Sequence, residues 1–273
     1  MKKRIVALLL ALVVLCTGVV MTACGGSDVP PETVAKKSAA EVINEAMAKT
    51  EALDEMAAVM KMEFNMAMEG MTLSIPITVD MKAKDMKSEN VTMSMVMNMA
   101  LLGQEIEMEM YQEGQWAYVV MGDMKYKSSV EAVGDELDYT DTVNDMLVEI
   151  PEELLNDLEL VMEADGSQSL TISLSDEKFS EIYNDLIQAM NAEAGMEMGE
   201  LKISDAVVKV TVADGYVTVC DISFTMEVTA EGVTTTMDAK ASVTYENPGQ
   251  PVTITPPEGY QDFEEIGMDY MLA

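Results

Sequence analysis

The sequence predicts an α+β fold: one large curved antiparallel β-sheet with helices packed on one face. Three observations predict it. Between residues 60 and 120, apolar side chains recur at every second position in five successive runs separated by short turns. That is the signature of antiparallel strands with one dry face and one wet face. Two other segments, opening at Ser38 and Ser175, carry their apolar residues at helical spacing instead. The order helix, meander, helix, meander then fits helices laid against a single sheet.

The first helix opens at Ser38-Ala39-Ala40-Glu41, a serine followed three residues later by glutamate, which pairs two orphan backbone donors as a capping box. Val42, Ile43, Ala46, Met47 and Leu53 are expected on its apolar face. The period then switches to two. Met60, Met62, Phe64, Met66 and Met68 form one run, and after Gly70 Met71, Leu73, Ile75, Ile77, Val79 and Met81 form the next. Pro76 marks a bulge or an edge, because it has no N–H for a ladder. Met93, Met95, Met97 and Met99 make a third run, Ile106, Met108 and Met110 a fourth, and Trp116, Tyr118 and Val120 a fifth.

From Ser128 to Glu163 the pattern loosens. The stretch is rich in Asp and Glu, and a helix start is expected at Pro151. A short strand at Leu170, Ile172 and Leu174 leads to the second helix, capped by Ser175, with Phe179, Ile182, Tyr183, Leu186, Ile187 and Met190 as its stripe. Three more strands follow, with turns at Asp214-Gly215 and Glu231-Gly232. One of them carries Cys220, Ile222, Phe224, Met226 and Val228 on a single face. Residues 251–257 are extended and are expected to add a last edge strand.

The N-terminus reads as an export signal. Lys2, Lys3 and Arg4 precede an apolar run, Ile5 to Val20, that is short for a membrane span. It ends in Met21-Thr22-Ala23-Cys24, which resembles the bacterial lipobox, with Met21 where leucine is usual. The expected division is a signal peptide over 1–23, a lipidated N-terminus and flexible spacer over 24–37, the folded domain over 38–260 and a C-terminal tail over 261–273. A signal cut near Ala23 with no lipid is the alternative. Lipid on Cys24 would hold the protein on the extracytoplasmic face of the cell membrane.

Composition narrows the chemistry. Of three cysteines, Cys16 belongs to the signal and Cys24 to the anchor, so Cys220 has no partner for an internal disulfide. The net charge is −33 and the signal removes Lys2, Lys3 and Arg4, which makes nucleic acid an unsuitable partner. There is no histidine, hence no imidazole base, no ordinary zinc site and no His-dependent triad. Ser175-Asp176-Glu177-Lys178 matches S-x-x-K, but no K-T-G accompanies it and Ser175 already serves as a cap. Asp135, Asp138 and Asp141 lack EF-hand spacing. A non-enzymatic protein without cofactor or resident metal is expected.

The chain holds 28 methionines, of which Met1 and Met21 fall in the signal. A methionine face has three readings: a loosely packed core, a pliable lining for an apolar ligand, or a soft-metal site for Cu(I). The periodicity marks the face as dry without choosing between filled and hollow.

Several stretches carry a resemblance. The lipobox, the S-A-A-E helix start, Tyr111-Gln112-Glu113-Gly114-Gln115-Trp116-Ala117-Tyr118, Met121-Gly122-Asp123-Met124-Lys125-Tyr126 and the tail Tyr245 to Pro257 resemble an uncharacterised group of Gram-positive lipoproteins. That group is similar in architecture to the LolA and LppX/LprG lipoproteins, half-barrel sheets closed by helices around a hydrophobic cavity. The resemblance implies binding or carriage of a lipid or other apolar molecule. Met62, Phe64, Met66, Leu73, Ile75, Met93, Met95, Met97, Met108, Trp116, Phe224 and Met226 are the expected cavity lining. An envelope scaffold with a filled core is the alternative, and Cu(I) binding through methionine clusters a further one.

Overall fold

A computed structural model describes residues 37–68, 71–88, 90–101, 103–129, 158–174, 200–230 and 233–265. The expected signal, Cys24, the helix start at Pro151, Asp135 to Asp141 and the helix from Ser175 lie outside these residues. Among the described residues, one α-helix, twelve strands and a short 3-10 helix at Tyr260–Asp262 occur. The α-helix and the first strands are α1 (Ala39–Glu51), β1 (Met56–Met68), β2 (Met71–Lys84), β3 (Thr92–Leu101), β4 (Gln104–Glu113), β5 (Trp116–Met121) and β6 (Met124–Ser129). Then come β7 (Val161–Met162), β8 (Gln168–Leu174), β9 (Glu200–Ala213), β10 (Tyr216–Ala230), β11 (Val233–Tyr245) and β12 (Glu264–Glu265). They form one open sheet in the order β12-β6-β5-β4-β3-β2-β1-β11-β10-β9-β8-β7. Every pairing is antiparallel except β12 against β6, so the predicted single-sheet α+β architecture is what the chain adopts.

Cross-strand pairs show how the core fills. Phe64 of β1 faces Ala239 of β11, which faces Phe224 of β10. The row below reads Met62, Ala241, Ile222. A small residue between two large ones lets neighbouring strands interdigitate without a void, and Phe64 and Ile75 are fully buried. β9 and β10 shift register twice, between Val217 and Val219 and between Ser223 and Thr225. Asp205, in the left-handed region at φ 54°, lies opposite the second shift. Such bulges sharpen the twist, which bends this half of the sheet.

Helix α1 lies on the dry face of β9 and β10. Its capping box is made: the Ser38 N–H donates to Glu41 Oε2 at 2.8 Å, and the Glu41 N–H donates to Ser38 Oγ at 3.2 Å. Ile43, Ala46 and Met47 are buried as expected, but the helix is capped at Ala52, so Leu53 lies beyond it. Thr50 carries the junction. Its hydroxyl donates to the Ala46 carbonyl at 2.8 Å and accepts from the Val217 N–H at 3.0 Å. Lys49 donates to the Asp214 carbonyl at 2.8 Å and lies 3.8 Å above the Tyr216 ring. Asp214 and Gly215 both have positive φ, as a two-residue hairpin matched to strand twist requires.

Pro76 lies within β2 without a bulge. β2 pairs with β3 only from Ile77 onward, so Pro76 occupies a stretch that is locally an edge. The tail runs without strand pairing over 251–257, and the last strand forms later, at Glu264–Glu265.

Candidate functional site

Strands β3 to β6 hold eight methionines, at 93, 95, 97, 99, 108, 110, 121 and 124, whereas β8 to β11 hold Met226 and Met237. The register puts all eight on one face. Met97 faces Met108, Met108 faces Met121, and Met121 faces Met124 across the last hairpin. A parallel row runs Met81, Met95, Met110 and ends on Val119. Directly opposed residues in such ladders have Cβ atoms about 4.5–5.5 Å apart, so flexible thioethers in each row reach one another.

This face changes character along the sheet. Over β1, the adjoining part of β2 and β10, Met62, Phe64, Ile75, Phe224 and Met226 are buried in the main core. Met66, Leu73, Met95 and Met97 are half-buried against that core. Met93, Met108, Met110 and Met121 are half-buried as well, and Met124 reaches 53 % exposure. The expected lining thus splits into a sealed group and an accessible group. Met99, Met110 and Met121, absent from the expected set, belong with the accessible one. Alternation within β3 and β4 already puts Met99 and Met110 on this face, whereas Met121 is placed only by the pairing register, which periodicity within one strand does not contain.

Trp116 corrects the reading of its own strand. It pairs with Glu113, and Tyr118 pairs with Tyr111, on the face opposite the methionines. The Gly114-Gln115 turn sets this parity, and one residue more or less would have reversed it. On that opposite face Tyr111, Tyr118 and Phe263 form a second, smaller core with Trp116, Val120, Ile254 and Tyr260 packed on it. The tail supplies three of these residues. The Tyr260 ring stands edge-on to Tyr118 with centroids 4.9 Å apart, and its hydroxyl lies 3.2 Å from Glu113 Oε2. Burial and the neighbouring Glu113 push the Tyr111 hydroxyl up to about 12, so it stays neutral at physiological pH.

A shallow groove of about 570 Å³ also opens on this wet face, across β2, β1, β11, β10 and β9. Lys61, Glu63, Thr78, Asp221, Lys240 and Ser242 line it. Glu63 faces Lys240 and Asp221 faces Lys209 across the strands, so its charges largely offset one another. Lys209 also donates to Glu163 at 3.1 Å, and Ser169 donates to the same oxygen at 2.6 Å. Those bonds hold the Glu163 carboxyl below its ordinary range, the Ser169 hydroxyl contributing most.

Among the described residues no group of three His, Cys, Asp or Glu side chains is placed to hold a metal ion. Cys220 is buried, and burial, with Asp221 beside it, pushes its thiol up to about 12, which makes it a core residue rather than a nucleophile. No helix of the described residues is long and apolar enough to cross a membrane.

Residues 38–261 match the family DUF6612. The chain belongs to that family of unknown function. The DUF6612 domain thus begins at the Ser38 cap and takes in the aromatic tail as far as Tyr260. No curated protein matches the chain. Among solved structures it is similar to LprF from Mycobacterium bovis, at 13 % identity and a TM-score of 0.38, covering 81 % of this chain and 97 % of that one. It is also similar to a DUF1329 family protein from Desulfovibrio piger, at 9 % identity and a TM-score of 0.22, covering 80 % and 96 %. Neither likeness is close enough to carry a ligand to the DUF6612 domain.

Proposed function

We propose that this protein is a lipid-anchored, extracytoplasmic binder of a lipid or other apolar ligand, held against the methionine-rich part of its sheet. One observation carries the reading. The dry face closes almost completely over β1 and β9 to β11, yet the same face stays half-buried along β3 and β4 and at Met121, while Ala117 and Val119 of β5 are buried. A contiguous, incompletely covered apolar patch is what a ligand or partner surface looks like, and thioethers adapt to ligands of variable shape. The ligand-facing residues are Met93, Met95, Met97 and Met108, together with Met99, Met110 and Met121. The anchor reading rests on Met21-Thr22-Ala23-Cys24 and the polar spacer behind it.

Mass spectrometry of organic extracts from the natively purified protein tests the binding. Co-purifying lipid in stoichiometric amount is expected. Its repeated absence, together with failure to take up a fluorescent fatty-acid probe, refutes the reading in favour of an envelope scaffold with a filled core. The anchor is tested separately: Cys24→Ala is expected to abolish incorporation of radiolabelled palmitate, and retained labelling refutes it.

A further inference from the structure

The methionine row invites a second question, independent of any apolar ligand. Branched aliphatic residues and alanine fill most of the same face in β9 to β11, and they pack more firmly than methionine. β3 carries thioethers at 93, 95, 97 and 99 of this face, and one cross-strand row continues from Met97 through Met108, Met121 and Met124. Sulfur placed opposite sulfur over four consecutive strands goes beyond what filling the face requires.

We propose that Met97, Met108 and Met121 form a binding site for a soft monovalent cation, Cu(I) or its surrogate Ag(I), with Met124 at the open end. Two geometric facts support it. The three side chains stand side by side on β3, β4 and β5, each directly opposite the next, so flexible stems can bring neutral sulfur donors together from neighbouring strands. The row also ends at the Gly122-Asp123 hairpin, where Met124 is 53 % exposed, which leaves a cation a path from solvent. Soft thioethers select Cu(I) over the hard divalent cations that carboxylates prefer. They also need no deprotonation to bind, unlike thiolate, imidazole or carboxylate ligands. Such a site keeps its affinity as the pH falls.

The test uses the full-length chain in mild detergent, titrated anaerobically with Cu(I) against a chromogenic Cu(I) chelator. One equivalent held against the chelator is expected, unchanged between about pH 5 and pH 8, since thioethers do not titrate there. The triple variant Met97→Leu, Met108→Leu, Met121→Leu should lose it, and Met162→Leu, away from the row, should keep it. Leucine conserves the volume of methionine, so circular dichroism and melting temperature should be unchanged in the triple variant. Any of three results overturns the proposal: no copper retained, copper retained undiminished by the triple variant, or binding that falls away with acid as a carboxylate site would. Should the triple variant fail to fold, Met108→Leu alone decides, because Met108 faces both of the other sulfurs.

Discussion

Replacing Thr50 with valine keeps the shape of a buried side chain and removes one oxygen. Thr50 is 7 % exposed, and its hydroxyl links the last turn of α1 to the start of β10. The Val217 N–H needs this acceptor because β11 pairs with β10 only from Val219 onward, which leaves Val217 without a strand partner on that side. Val217 is 1 % exposed, so water cannot replace the hydroxyl. A buried donor left without an acceptor costs about 1–3 kcal/mol. The Ala46 carbonyl is less affected, since the helix still supplies its backbone donor. A loss of about 2 kcal/mol is expected, which for a chain of this size lowers the melting temperature by about 4–8 °C. Urea unfolding followed by circular dichroism measures it. Thr50→Ser is the control: it keeps the oxygen, loses one methyl, and should cost about 0.8 kcal/mol. A valine variant no less stable than the serine variant would refute the idea that the hydroxyl bridge joins helix to sheet.

Three further outcomes follow from the packing. Cys220, buried with its thiol raised to about 12, should not react with a disulfide reagent near pH 8 in the folded chain and should react fully in urea; for a version starting at residue 25 this reads a single thiol. Phe263→Ala empties the second core and should destabilise by about 3 kcal/mol, the low end for buried phenylalanine. It should also red-shift the emission of Trp116, the only tryptophan in the chain, and an unshifted spectrum argues against the tail packing there. Glu163 has its folded pKa depressed below 4.5, so its bonds stabilise the folded state above the unfolded pKa, and that contribution is lost as pH falls through the folded value. Ser169→Ala should raise the Glu163 pKa seen by NMR and reduce the acid-dependent part of stability; an unmoved titration contradicts the assignment.

Periodicity within a strand carried much of this fold. Met60 to Met66, Leu73 to Met81 and Cys220 to Met226 each alternate strictly, because one face of each is dry, and each is a strand with that face inward. The capping box at Ser38 and the Asp214-Gly215 turn were equally legible, since both are local chemistry. β6 was harder to see: Met124, Lys125, Tyr126, Lys127, Ser128 and Ser129 do not alternate cleanly, and the strand exists because it pairs with β5 and β12. Trp116 lies on the face opposite the methionines rather than among them for the same reason, its parity depending on the turn before it.

The candidate site divides along that line. That β3 and β4 each carry methionines on one face was written in their own residues, because the side-chain period of a strand is two. That Met97, Met108 and Met121 stand in one row, while Phe64 and Phe224 are sealed around Ala239, was decided only when the strands paired. Which face is dry follows from one segment's chemistry. Which residues share a place on it follows from register, a relation between segments far apart in the chain, and only the assembled sheet determines it.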